Sequence, residues 1–232
     1  MYLQNREYFL NKLSEKMGRP RSFIPEPIPT PLNNHATTRL IDLNQQQLCQ
    51  EFVDFAKVMM VDVIETNESA VVNVLIDVCN KYGGDKIILN QDYRLDDLGI
   101  TKAIQHCFNS HIWATEKANK NIEFAEKANI GIVYAEYGLA ESGGIVLYSD
   151  KNRGRSVSLL PEKSIVIVRK STILPRVAQL AQILHEKVKS GERMPSCINI
   201  ISGPSSTADI ELVKVVGVHG PTTKIYIVID DL

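Results

Sequence analysis

Residues 163–191 read KSIVIVRKSTILPRVAQLAQILHEKVKSG, and this stretch decides the fold. Ile165, Val166, Ile167 and Val168 form a β-branched run without polar alternation, the pattern of a strand covered on both faces. Directly behind it, Ile173, Val177, Leu180, Leu184 and Val188 recur at helical spacing and make one apolar stripe. Ser171 or Thr172 offers a capping hydroxyl, Pro175 is tolerated in a first turn, and Gly191 stops the helix. A doubly covered strand followed by an amphipathic helix is the repeating unit of an α/β protein.

The same alternation continues on both sides. Upstream, Leu48, Phe52, Phe55 and Met59 share a helical face, Val61–Ile64 reads as a strand, and Val71, Leu75 and Val78 build a helix over 68–82 that Gly83-Gly84 ends. Lys86–Leu89, His111–Ala114 and Gly131–Ala135 are further strands, with a helix-compatible stretch over 116–127. Ile145–Tyr148 is a second bare run predicted to be interior, and Ile198–Ile201 and Ile225–Ile229 complete the set. The sum is an α/β fold with a mostly parallel sheet covered by helices on both sides.

At the N-terminus, Met1 to Met17 has helix-like apolar spacing that Gly18 and Pro20 interrupt, and Pro25, Pro27, Pro29 and Pro31 then hold the chain extended. The expected division is a terminal helix with a proline-rich arm over 1–36 and a single α/β domain over 37–232. The arm either straps its own subunit or reaches a partner, so a homo-oligomer is left open.

Composition removes several classes of function. Lys plus Arg number 26 against 27 Asp plus Glu, a net charge of -1, so there is no cationic excess to meet a nucleic acid backbone. The apolar runs are far shorter than the roughly 20 residues that cross a bilayer, and the first residues lack the basic start and apolar core of a secretory signal. A cytoplasmic location without a membrane span is expected. Cys49, Cys79, Cys107 and Cys197 stand singly, so no cluster of thiolates is predicted to hold zinc or iron–sulfur. His106, Cys107 and His111 match no common metal spacing, and GxGxxG, GxxxxGKS/T and GxSxG are all absent.

Three polar, glycine-rich stretches remain as candidates for chemistry. In GPSSTADIE, residues 203–211, Gly203 permits close approach, Ser205, Ser206 and Thr207 offer hydroxyls, and a following helix start would favour an anion near Asp209. The same residues are also what an ordinary helix cap contains. In GVHGP, residues 217–221, His219 lies exposed between two glycines, where it can hold an anion or move a proton, or be structural only. In AEYGLAESGG, residues 135–144, Glu141 is a candidate base or nucleophile, against the alternative of a solvated glutamate in a turn. Arg155 is the nearest cation able to grip a carboxylate in two places, and it can equally pair with Glu141 or Asp209.

GPSSTADIE followed by GVHGP, with AESGG and RSVSLLP upstream, resembles the signature set of the LutC/YkgG group of LUD-domain proteins. The matched region runs from Gly131 to Pro221, and this chain carries Ser142 and Gly144 where the family pattern has threonines. The resemblance implies a fold similar to ribose-5-phosphate isomerase, glucosamine-6-phosphate deaminase and CoA-transferases. It also implies the non-redox part of an L-lactate utilisation system that oxidises L-lactate to pyruvate. LutA-like and LutB-like partners would then carry the iron–sulfur clusters, and this chain would bind no cofactor. The alternative is a stand-alone isomerase or CoA-transferase-like enzyme in which Glu141 or His219 moves a proton or forms an adduct.

Overall fold

The computed structural model describes residues 2–24, 27, 29–208 and 214–232. The chain divides into two compact units, Met1–Asn34 and His35–Leu232. In the first, helix α1 (Tyr2–Lys16) is tied to the following segment by an ion pair between Arg21 and Glu7 and by Arg21 Nη1 donating to Asn11 Oδ1 at 2.9 Å. The Arg21 guanidinium also lies 4.5 Å from the centre of the Phe23 ring. No helix among the described residues is long and apolar enough to cross a membrane.

The second unit runs α2 (His35–Thr38), α3 (Gln45–Val58), β1 (Val61–Asn67), α4 (Val71–Lys81), β2 (Lys86–Leu89), α5 (Tyr93–Asp97), α6 (Ile100–Cys107), β3 (Asn109–Ile112), α7 (Asn119–Glu126) and β4 (Ile130–Tyr134). It continues with β5 (Tyr137–Leu139), β6 (Gly144–Ser149), α8 (Ser156–Leu159), β7 (Lys163–Arg169), β8 (Ile173–Leu174), α9 (Val177–Lys189), β9 (Cys197–Ile201), β10 (Ser206–Ala208), β11 (Lys214–Val216) and β12 (Thr223–Asp230).

Six strands form an all-parallel sheet in the order β1-β12-β7-β4-β2-β3. The side chains of each strand alternate between two cores. Ile87, Ile132, Ile165 and Ile225 pack under α4, α5 and α6 on one face, while Ile88, Val133, Val166 and Tyr226 pack under α3, α7 and α8 on the other. Both faces are therefore dry, which is why the central strands lack polar alternation. Burying one such Ile or Val contributes about 1.5–3 kcal/mol.

The second interior run lies elsewhere than in the parallel sheet. Ile145–Tyr148 belongs to β6, which pairs antiparallel with both β5 and β9 in a four-stranded sheet of order β8-β5-β6-β9. Ile198–Ile201 is the edge of that same sheet. Ile145 and Leu147 face the α3 side of the main sheet, and Val146 faces Leu139 and Leu180 of α9, so β6 is covered on both faces by a different route.

Helix α3 opens with a reciprocal cap in which Asn44 Oδ1 accepts from the Gln47 amide and Gln47 Oε1 accepts from the Asn44 amide, both at 3.0 Å. Its buried stripe is Leu48, Cys49, Phe52, Val53 and Ala56, rotated from the expected one, so that Phe55 is 39% exposed. The last long helix also starts later than its composition suggests. Asp231 occupies both Ser171 groups, accepting from the amide at 3.0 Å and the hydroxyl at 2.6 Å, while Thr172 Oγ1 donates to Arg169 O. Residues 170–172 form a single 3-10 turn, Ile173 pairs with Gly138, and α9 begins only after Pro175.

The segment following Gly203 likewise departs from expectation. Ser206–Ala208 is a strand paired antiparallel with Lys214–Val216, with Thr207 opposite Val215, so among the described residues a strand and not a helix follows Ser205. Asp209, Ile210 and Glu211 lie outside the described residues.

Candidate active site

In parallel sheets, ligands gather at the carboxyl ends of the strands, where loops diverge. Here those ends carry a connected set of charges. After β2, Asp92 caps α5, its Oδ1 accepting from the Arg94 amide at 3.1 Å. The Arg94 guanidinium turns back on the same carboxylate, with Nε on Oδ1 at 2.9 Å and Nη2 on Oδ2 at 2.7 Å. Its other edge grips Glu136, just after β4, at 2.9 Å to each oxygen. The guanidinium also lies over the Tyr134 ring, 4.4 Å from its centre.

Arg153 approaches Glu136 from the far side and donates to Oε1 through Nη1. It is itself held by Asp150, at 2.9 Å from Nε and 2.8 Å from Nη2. Asp150 Oδ1 accepts the amides of Asn152 and Arg153, which fixes the loop after β6. Beyond Tyr134, whose hydroxyl accepts from Arg169 Nε at 2.7 Å, the network reaches Glu68 and Asp231. Lys170 adds a pair with Asp230 at 3.0 Å. Five of the six strand ends thus contribute a charged side chain within or just beyond the strand.

Burial works against charge on Arg94, but Asp92 and Glu136 outweigh it and hold the guanidinium more firmly protonated than usual. Arg153 behaves alike, with Asp150 and Glu136 overcoming burial. For Asp150, burial is again opposed and outweighed, by Arg153 and the two loop amides, and its carboxyl sits below the ordinary range. Burial pushes the Tyr148 phenol up to about 12, with help from Tyr137 and Glu136. Fixed charges of this kind suit binding and orientation of a polar ligand.

Two of the hollows that open against this network share its Arg94–Glu136 pair. One of about 530 Å³ is lined by Arg94, Glu136, Tyr148, Arg153, Lys187 and Arg193 among others, and a second of about 430 Å³ by Tyr134, Arg169 and Thr172 with the same Arg94 and Glu136. The Arg94–Glu136 pair is therefore the partition between them. A larger open hollow, about 980 Å³, lies wholly within the first unit and touches none of these groups.

The residues singled out from sequence lie away from this cluster. Glu141 accepts from Arg176 Nε at 2.5 Å and from the Val177 amide at 2.8 Å. Ser142 O accepts from Ser202 Oγ at 2.6 Å, and a Cβ on Gly143 or Gly203 would strike the end of α3, at 2.2 Å from Ala56 N and 2.5 Å from Met59 O respectively. Ser205 is held by Pro221 and Gly217 through its backbone, and Gly220 packs on its side chain. These contacts place Gly203, Ser205 and the 217–221 turn near the amino ends of β7 and β12, opposite the charged network.

Ser206 and Thr207 lie in β10, while His219 and Arg155 are exposed. No hydrogen bond or ion pair among the described residues joins Glu141, Arg155 and His219. His111 pairs with Asn121 at 2.9 Å and stacks on Phe124, and among the described residues no three His, Cys, Asp or Glu side chains converge for a metal. Cys49 and Cys79 belong to cores on opposite faces of the sheet, so they cannot share one cluster.

No sequence motif marks Arg94, Arg153, Asp92 or Asp150, and of the two carboxylates in residues 135–144 it is Glu136, not Glu141, that joins the network. Their signal was positional: Asp92 and Arg94 follow the strand Lys86–Leu89, and Glu136 follows the strand ending near Ala135. Reading the first charged residues after each strand finds them.

A family model described as LUD domain matches residues 49–229. The chain is 53% identical to "Uncharacterized protein YkgG" of Escherichia coli, covering 99% of this chain and 100% of that protein. It is 41% identical to "Lactate utilization protein C" of Halalkalibacterium halodurans, covering 99% of each. Among solved structures, that of a DUF162 family protein from Deinococcus radiodurans superposes with a TM-score of 0.59 at 17% identity, over 81% of this chain and 99% of that one. The last likeness shows a shared fold.

Proposed function

The chain belongs to the LUD-domain family, and from that premise we propose that it is the non-redox component of an L-lactate utilisation system, working beside LutA-like and LutB-like iron–sulfur proteins. The observation that carries this reading is similarity along the whole length, at 41% identity, to a protein named for lactate utilisation. A kinship of fold with ribose-5-phosphate isomerase and CoA-transferases is part of the same proposal.

Within this role the small-anion site is assigned to the carboxyl-end hollow beside Arg94 and Arg153. Loop 203–207 and His219 are the weaker place for it, because β10 replaces the helix start whose free amides would attract an anion. At the carboxyl end, Arg94 already holds Glu136 at two points while Arg153 reaches Glu136 Oε1 through Nη1 alone, and a ligand carboxylate can take the place of Glu136 on Arg153.

The test is reconstitution. L-lactate-dependent reduction of an artificial acceptor is followed with the two iron–sulfur proteins, with and without this chain. Turnover that requires the chain, none by the chain alone, and saturable L-lactate or pyruvate binding weakened by Arg153→Gln are the expected results. Full turnover in its absence, or turnover of a sugar phosphate or acyl-CoA by the chain alone, would overturn the assignment.

A further inference from the structure

Three polar side chains lie together on the α3-facing side of the parallel sheet without partners. Lys224 of β12 and Ser164 of β7 are register partners on adjacent strands, and Tyr226 follows two residues later on the same face, stacked on Phe52 at 5.5 Å. Lys224 is 2% exposed and the other two are fully buried. Ser164 Oγ and Tyr226 Oη are enclosed without a hydrogen-bond partner, while Lys224 Nζ keeps a narrow opening to solvent and takes no ion pair or hydrogen bond among the described residues. The Gly203 amide faces the Tyr226 hydroxyl without reaching full hydrogen-bonding geometry.

An unpaired ammonium in such a place costs several kcal/mol, and unsatisfied hydroxyls beside it add to that cost. Burial alone lowers the Lys224 amine to about 8. A substantial share of it is then neutral near pH 8, and a neutral amine is a nucleophile. The orphan hydroxyls are donors waiting for acceptor oxygens. None of the hollows described above is lined by these residues, and a small uncharged molecule can reach such a position across an apolar wall.

We propose that Lys224 is a carbamylation site that takes up carbon dioxide, with the Ser164 and Tyr226 hydroxyls donating to the carbamate oxygens. The Nζ lone pair attacks the carbon and forms an N–C bond. One C=O π pair moves onto oxygen, and the nitrogen releases its proton to solvent. No oxidant or reductant is needed, and the product has acceptor atoms where the site supplies donors. The process is reversible and makes the occupancy of this interior position depend on dissolved carbon dioxide.

The full chain equilibrated in ¹³C-bicarbonate is trapped by oxonium alkylation and its peptides are mapped by mass. Label on Lys224 in the folded chain, lost when the chain is unfolded in urea before trapping and reduced at least fivefold by Ser164→Ala, is the expected result. Label on the N-terminal amine serves as an internal control of the trapping. Absence of label at Lys224 while the control is labelled would mean that the group holds only water, and would overturn the proposal. Unchanged occupancy in a folded Ser164→Ala protein would overturn it as well. Because Lys224→Met can perturb the core, the Ser164→Ala comparison is the deciding one.

Discussion

Glu141 caps helix α9 from a different element: its carboxylate accepts the Val177 amide at 2.8 Å and Arg176 Nε at 2.5 Å. A negative charge at a free helix amino terminus is stabilising, and here it stands in for the missing side-chain cap at Arg176. Both oxygens are engaged, so Glu141→Ala should lower unfolding free energy by about 1–2 kcal/mol. Glu141→Gln, which keeps one acceptor, should lose less than half of that by urea denaturation. A Gln variant with wild-type stability but no lactate-dependent turnover would instead assign Glu141 to the chemistry.

Arg94 holds two carboxylates, and the Asp92 side chain is only 2% exposed. Arg94→Met leaves that buried carboxylate with only the distant Arg153, 4.0 Å away, which should cost about 3 kcal/mol. Arg153→Met is expected to cost about 1 kcal/mol or less, since its partner Asp150 is 39% exposed and its other two partners, Glu136 and Asp92, keep Arg94. A double-mutant cycle with Asp92→Asn measures the coupling. Equal losses for the two arginines would contradict the view that Arg94 organises the strand ends.

Gly203 has φ of +76° and sits against Met59 O, so it is required twice, by conformation and by space. Gly203→Ala should destabilise the chain by about 2–4 kcal/mol, visible as a lowered urea midpoint. It should leave ligand binding at the carboxyl end unchanged when measured well below that midpoint. A stable Gly203→Ala protein with lost anion affinity would return the anion site to the 203–207 loop.

The parallel core was legible because Ile165–Val168 and Ile225–Ile229 have no polar alternation and can only be interior. What periodicity could not supply was partnership. Ile145–Tyr148 has the same composition as those strands, yet its cover is a helix and a sheet face made by residues far away in sequence. Ser171 and Thr172 have the chemistry of helix caps, but Asp231, some sixty residues later, claims Ser171 first. The glycine-rich motifs drew notice as chemistry, whereas Gly143 and Gly203 press on α3 for reasons of space. Arg94 and Glu136 meet only because β4 pairs with β2, with the rest of α5 and the whole of α6, β3 and α7 between them in the chain, so their pairing has no trace in local spacing.

Lys224 offers a test of that core by pH. Its amine sits at about 8 in the folded chain against an ordinary 10.5, lowered by burial. Below pH 8 both states bind the proton and the full penalty of a buried charge is present. Between pH 8 and 10.5 the unfolded chain holds more protons, so this group makes stability rise with pH, by about 3 kcal/mol across the window. Burial raises Cys49 to about 11 and Cys79 and Tyr148 to about 12, and those groups act oppositely, because the unfolded chain loses their protons first. The difference between wild type and Lys224→Met isolates the lysine. In carbonate-free buffer, Lys224→Met should exceed wild type in stability at pH 7, and the gap should shrink by roughly 3 kcal/mol by pH 10.5. A gap that stays constant with pH would show that the lysine keeps its proton in the folded chain and has a partner there.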